Sequence, residues 1–209
     1  MNEFKIIKKY FKKLSLNQQG AYGLSDDIFF DSKKKFAISV DTYVHKVHFL
    51  DLNPKNFVKK ILRSSLSDLY CKGIKPKLYF LSLVLNKKIT KHDWLDSFKN
   101  ILLTEQKKFD ISLCGGDIVY GKKLVITFTV LGYAKEKPVL RTGCSLNNDI
   151  YVTGNIGDSY LGLNIIKKKF NFLKYNNFFK KCYYEPHLPT KIYPFLKNIA
   201  TSSIDISDG

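Results

Sequence analysis

The sequence predicts an α+β fold, and three stretches carry that reading. Residues 36–41 alternate Phe36, Ile38 and Val40 with Ala37, Ser39 and Asp41, the period-two pattern of a half-buried strand. Residues 54–72 bring Phe57, Ile61, Leu62, Leu66 and Leu69 to one helical face, with Pro54 in the first turn and Gly73 at the close, the marks of an amphipathic helix. Residues 78–85, LYFLSLVL, form an almost unbroken apolar run, as a buried strand does. Residues 1–140 read as one mixed domain of strands and helices. Residues 141–209 read as the beginning of an α/β domain with too few elements to close its own sheet.

The elements follow in order. Residues 3–14 place Phe4, Ile7, Phe11 and Leu14 on one face with lysines opposite, which predicts an amphipathic helix packed on its own fold. Asp26 and Asp27 open a short strand through Phe30. The strand from Phe36 is expected to end at Asp41, followed by a loop carrying His48 and Phe49; polar groups on loops at strand ends are where sheet proteins place chemistry. Thr90 and Asp93 suggest a capping box for a helix with Trp94, Phe98, Ile101 and Leu102 on its core face. A strand from Ile111 leads into Cys114-Gly115-Gly116-Asp117. Glycines there would let backbone N–H groups approach a phosphate while the acid holds a metal. No G-K-[ST] follows, which excludes a P-loop.

Residues 124–131 predict another strand, and 135–148 a polar crossing that carries Arg141. Ile150 to Thr153 suggest a new strand, then an apolar helix over 160–170. Residues 167–181 read as a solvated helix or loop, and a last helix is expected near 191–200. The chain stops inside SIDISDG, a strand-then-turn with two acids, which suggests a fragment of a longer protein.

Composition narrows the function. The formal charge is +17, which by itself points to nucleic acid or an anionic surface. But 33 of the 35 cations are Lys and only Arg63 and Arg141 are Arg. A groove-reading protein keeps Arg for bidentate contacts, so the lysines read as the trace of an AT-rich genome, and no nucleic-acid partner is expected. No stretch qualifies as a signal peptide or membrane span. The cysteines Cys71, Cys114, Cys144 and Cys182 are far apart and read as reduced thiols of a cytoplasmic protein.

The acids point to metal chemistry. There are 14 Asp against 4 Glu. A short, stiff carboxylate suits Mg²⁺, which demands near-octahedral oxygen ligation. Asp68 lies in the last turn of the 54–72 helix, where a negative charge opposes the helix dipole. A bound cation explains that placement better than solvation does.

Taken together, EFKIIKKYF, GLSDD, AISVDTYVHKVHF, LSDLYCKGIKP, CGGD, the RTG of VLRTG, DIYVTGNIGDS and SSIDISDG resemble the thiamine-monophosphate kinase family, within the aminoimidazole ribonucleotide synthetase-like ATP-binding superfamily. The resemblance spans nearly the whole chain and is loosest over residues 167–197. It implies a first domain whose strands pair with a second copy into a dimeric barrel. It implies ATP and thiamine monophosphate as substrates and several Mg²⁺ ions held by Asp27, Ser39, Asp41, Asp68, Asp117, Asp205 and Asp208. Gly116, Asp117, Arg141 and Ser207 would contact ATP, and His48 the thiamine phosphate. The transfer would be direct and would need no general base. Val40 stands where the family usually has threonine, Ser25 where it has glycine, and its Pro-x-Pro-Arg segment is reduced to Pro186-His187-Leu188-Pro189. Another ATP-dependent member of the superfamily, or a non-catalytic nucleotide-binding or dimerising piece, stays open as an alternative.

Overall fold

The structure is a computed structural model that describes residues 2–87, 89 and 91–207. In chain order it contains α1 (Glu3–Ile6), β1 (Phe29–Asp31), β2 (Phe36–Val44), α2 (Val58–Tyr70), β3 (Lys75–Leu85), α3 (His92–Phe109), β4 (Ser112–Tyr120), β5 (Val125–Tyr133), α4 (Asp158–Ile166), α5 (Asn176–Tyr184) and α6 (Leu196–Ile199). The strands make one 5-stranded sheet in the order β1-β2-β5-β3-β4. Its pairings are antiparallel except β3 with β4, which run parallel across the α3 crossover.

One face of the sheet is covered. Ala37 and Tyr43 from β2, Tyr79, Leu81, Leu83 and Leu85 from β3, and Ile126, Phe128 and Val130 from β5 are buried on it. Against them pack Ile61, Leu62, Leu66 and Leu69 of α2, and Phe98 and Leu102 of α3. The strand period of two and the helix period of 3.6 therefore meet across one apolar layer. Phe49 stacks on Phe57 with ring centroids 4.4 Å apart, pinning the loop after β2 to the start of α2. Cys71 caps α2, and Gly73 follows at φ +78, a left-handed turn that glycine adopts without strain.

A buried ion pair ties the helices together. Arg63 of α2 reaches Glu105 of α3 through Nε (2.7 Å) and Nη2 (2.9 Å), and its Nη1 donates to the Pro186 carbonyl at 3.1 Å. The fork geometry of guanidinium matches the carboxylate, and the third bond fastens the segment beyond α5 to the same point.

Several elements differ from expectation. Residues 3–14 are helical, but α1 runs on into a wider π turn over Ile7–Phe11 and a 3₁₀ turn over Lys12–Ser15. Phe4, Phe11 and Leu14 stay exposed and Ile7 is half-buried: the local pattern makes the helix, while the described residues leave most of its apolar stripe uncovered. β2 does not end at Asp41 but continues to Val44, because each residue through Val44 has a partner on β5. The strand expected to lead into Cys114-Gly115-Gly116-Asp117 instead runs on through these residues, which lie inside β4. Two residues after Leu113 oppose one step on β3, which is a bulge at Cys114. The glycines serve close packing: a Cβ on Gly116 would stand 1.8 Å from the Leu81 carbonyl oxygen. Residues 150–153 form no strand, and Ile150 is 92% exposed; an extended segment becomes a strand only when its backbone groups find a ladder. Residues 176–184 form α5 and bury Tyr183. The last helix is short, a 3₁₀ turn at Tyr193–Phe195 running into α6. Thr90 of the expected capping box lies outside the described residues.

Candidate functional site

The site is built where the C-terminal turn of α2 meets β2, the Asp26–Asp27 turn and the segment around residue 203. β2 places Ser39, Asp41 and Tyr43 on the covered face, since side chains two apart share a face. Tyr43 donates its hydroxyl hydrogen to Asp41 Oδ2 at 2.9 Å and accepts from Ser65 of α2 at 3.1 Å. Burial, and after it the Asp41 charge, raises the Tyr43 pKa far above its ordinary value, so it works here as a neutral donor that aims the carboxylate. One turn further along α2, Asp68 is 7% exposed. Burial, together with Asp41, Asp205 and Asp27, pushes its pKa up to about 9, against the pull of Lys72. Ser67 donates to Asp205 Oδ2 at 2.7 Å, which brings the last described acid beside them.

Lys72 lies at the centre and is 1% exposed. Its Nζ is 3.0 Å from Asp26 Oδ1, 3.1 Å from Asp27 Oδ2 and 3.0 Å from the Ser203 carbonyl oxygen. Burial pulls its pKa down, but Cys71, Asp26 and Asp27 outweigh that and hold it above the ordinary value. Arg141 closes the other side. Its Nε donates to Asp27 Oδ2 at 2.9 Å, its Nη2 to Asp27 Oδ1, and its backbone N–H to Asp26 Oδ2 at 2.8 Å. Ser202 donates to the Arg141 carbonyl at 2.6 Å. Two acids thus share two cations, while around Asp68 the charges of Asp41, Asp205 and Asp27 outweigh the pull of Lys72.

A divalent cation fits this arrangement. Carboxylates outnumber positive charges around Asp68, and the buried Ser39 Oγ has no hydrogen-bond partner among the described residues. Ligand atoms of Asp27, Cys71 and Asp205 lie within 4.8 Å of one another. Cys71 is the weak member: burial raises its thiol well above the ordinary range, and it donates to the Asp68 carbonyl. The oxygen donors suit a hard ion.

Of the expected site residues, Asp27, Ser39, Asp41, Asp68, Asp205 and Arg141 belong to this region. His48 follows the end of β2, its Nδ1 accepting from the Val44 N–H at 3.0 Å and its ring edge-on to Tyr43 at 5.7 Å. Ser207 is exposed, and Asp208 lies outside the described residues. Gly116 and Asp117 stand apart. The register runs Asp41, Phe128, Leu81, Gly116 across the sheet; three strand spacings of about 4.8 Å put Gly116 roughly 14 Å from Asp41. Asp117 falls in the next row, with Thr42, Thr127 and Ser82, on the opposite face from Asp41.

Residues 24–134 match the family described as AIR synthase related protein, N-terminal domain. The chain belongs to the AIR synthase-related family. Within that family it is 37% identical to a thiamine-monophosphate kinase of Buchnera aphidicola subsp. Schizaphis graminum, over 100% of this chain and 66% of the relative. The chain therefore spans about two thirds of that curated protein's length. Among solved structures it resembles "AaThiL complexed with AMPPCP and TMP" (TM-score 0.83, 23% identity, 96% of this chain and 64% of that one). It also resembles thiamine monophosphate kinase from Aquifex aeolicus (TM-score 0.80, 23% identity, 100% and 70%). These likenesses show that this chain shares the fold of those structures over 96% and 100% of its length.

Lys72 and Asp26 escaped the sequence reading of the site. Lys72 is one of 33 lysines; its only signal was its position between an apolar helix end and Gly73, four residues after Asp68. Asp26 was noted as half of an acidic pair, with no role assigned.

Proposed function

We propose that this chain carries the nucleotide- and metal-binding part of an enzyme that transfers the γ-phosphoryl group of ATP to thiamine monophosphate. The supporting observation is the convergence of Asp27, Asp41, Asp68 and Asp205 on a region with too few cations, in a chain similar along its whole length to a thiamine-monophosphate kinase. Asp27, Ser39, Asp41, Asp68 and Asp205, joined by Asp208, would hold Mg²⁺ ions. When bound, these supply the charge neutralisation that lets two polyanions meet.

The protein's own task is binding and alignment. A terminal oxygen of thiamine monophosphate forms the new bond to the γ-phosphorus as the bond to the ADP oxygen breaks, in line. That oxygen is already ionised at neutral pH, so no side chain has to take a proton. Arg141 trades part of its hold on Asp27 for phosphate oxygens, which its fork accepts equally well. Ser207 and the Gly116 backbone complete the ATP contacts. His48 accepts at Nδ1 from the chain, so its Nε2 carries the proton and can donate to the thiamine phosphate.

The acting form is a homodimer. The second face of the sheet carries Phe36, Ile38, Val40, Phe80 and Tyr133 with no helix over it among the described residues, and β4 is exposed along its whole length. A second copy covering this face and the β4 edge would bury that apolar surface. It would also bring its own Gly116 and Asp117 toward the acids that one chain holds apart from them. Four free cysteines suit the reducing cytoplasm.

The test is ADP release by the intact protein with ATP–Mg²⁺, with and without thiamine monophosphate. Release that depends on thiamine monophosphate supports the reading; no dependence in a folded protein refutes it and favours a non-catalytic nucleotide-binding dimer. A radiolabelled phosphoenzyme that survives denaturation would refute direct transfer.

A further inference from the structure

Lys72 has a further role in this site. We propose that its ammonium is a resident cation that substitutes for one divalent ion at the Asp26–Asp27 end of the acidic cluster. The inference rests on the reading of that cluster as a Mg²⁺ site.

The geometry carries the argument. An ammonium has three donors, and all three of Lys72's are used: Asp26 Oδ1 at 3.0 Å, Asp27 Oδ2 at 3.1 Å and the Ser203 carbonyl at 3.0 Å. The side chain is 0% exposed. A lone buried charge of this kind is costly, and a lysine that only filled space would direct its head to water. This head instead bridges two carboxylates from one segment and a backbone oxygen from another. Multivalent oxygen ligation of that sort is what a bound metal does in a protein.

The surrounding charges divide cleanly. Asp26 and Asp27 face Lys72 and Arg141, two against two. Asp41, Asp68 and Asp205 face the same space from β2, α2 and the segment around residue 203. At Asp68 the charges of Asp41, Asp205 and Asp27 outweigh the pull of Lys72, while Tyr43 and Ser67 donate to Asp41 and Asp205. The positive charge missing from the site is thus on the Asp68 side. Lys72 has already met the need at the Asp26–Asp27 side, and it also ties the end of α2 to the Asp26–Asp27 turn and to the segment around residue 203. Lys72 is a positioning residue here: it touches the ligating carboxylates, not the substrate.

The count of bound ions tests this. Mn²⁺, whose binding can be counted by electron paramagnetic resonance, is titrated into the intact protein and into Lys72→Met and Lys72→Gln. Methionine keeps the length without the charge, and glutamine keeps hydrogen-bonding capacity without the charge. Both variants should bind one more Mn²⁺ per chain than the unaltered protein, and their melting temperatures should rise more steeply with Mn²⁺. If a variant is unfolded in chelator, it should fold on Mn²⁺ addition; persistent unfolding of both variants at saturating Mn²⁺ would overturn the proposal. Equal ion counts in all three folded proteins would also overturn it while leaving the metal site standing. No Mn²⁺ bound by the unaltered protein would remove the metal reading itself, and this inference with it.

Discussion

Arg141 and Asp27, 114 residues apart in sequence, form a two-pronged ion pair in which Arg141 Nε lies 2.9 Å from Asp27 Oδ2 and Nη2 meets Oδ1. The pair joins the turn before β1 to the crossing that follows β5, so the entry and exit of the sheet domain meet at one carboxylate. Lysine can supply the charge at this position but not the fork. Arg141→Lys should therefore lower stability by about 1–2 kcal/mol, a discounted figure for a side chain that keeps some exposure. It should cut thiamine-monophosphate-dependent ADP release at least tenfold. Urea unfolding and the ADP assay check the two parts, and an unchanged Lys variant in both would show that the fork is dispensable.

The buried pair Arg63–Glu105 predicts a stability effect remote from the acids. Glu105→Ala leaves the Arg63 guanidinium buried without its bidentate carboxylate, held by the Pro186 carbonyl and the face of Phe109. Breaking one side of such a pair costs about 3–5 kcal/mol. The midpoint of urea unfolding should fall accordingly with the slope unchanged. Residual folded protein at low temperature should still bind Mn²⁺. A shift below about 1 kcal/mol would mean that water reaches Arg63 once Glu105 is gone.

Much of this arrangement was legible in the sequence, and the gaps have physical causes. The helix ending in Asp68 could be read because its apolar spacing and its misplaced charge are both local. The strand carrying Ser39 and Asp41 could be read from period-two alternation, though not its end, which β5 decides by pairing through Val44. The continuation of the strand through the two glycines before Asp117 is not legible, because a glycine pair signals a bulge or a turn equally well; only the approach of Leu81 separates them. The partners of Lys72 and Arg63 are distant in sequence, and no local pattern marks a lysine whose acceptors come from two remote segments. Both arginines make bidentate pairs, Arg63 with Glu105 and Arg141 with Asp27.

Asp68 predicts a pH dependence of stability when divalent ions are removed. Its folded pKa is pushed up to about 9, first by burial and then by Asp41, Asp205 and Asp27, while the unfolded chain titrates near 4. Between those values the folded state holds the proton and the unfolded state does not. Stability therefore falls as pH rises through that window. In chelator the melting temperature should decline from pH 5 to pH 9. Asp68→Asn should flatten the decline and melt higher at pH 8. A melting temperature that rises over this range in the unaltered protein would contradict the crowding of charge around Asp68.

The same substitution should act oppositely on turnover, which separates function from stability at this position. If Asp41 and Asp68 hold Mg²⁺, then Asp41→Asn and Asp68→Asn each remove a charged ligand while keeping shape, and hard cations bind a neutral amide oxygen far less well. ADP release dependent on thiamine monophosphate should drop by about two orders of magnitude or more, the scale of losing transition-state charge stabilisation. Far-ultraviolet circular dichroism should stay that of the unaltered protein. Raising Mg²⁺ should recover part of the activity in Asp41→Asn, because Tyr43 still holds the amide oxygen near its place. Full activity in either variant would show that these carboxylates are not the ligands, and the region would then be a buried acidic network to which Lys72 and Arg141 contribute cations.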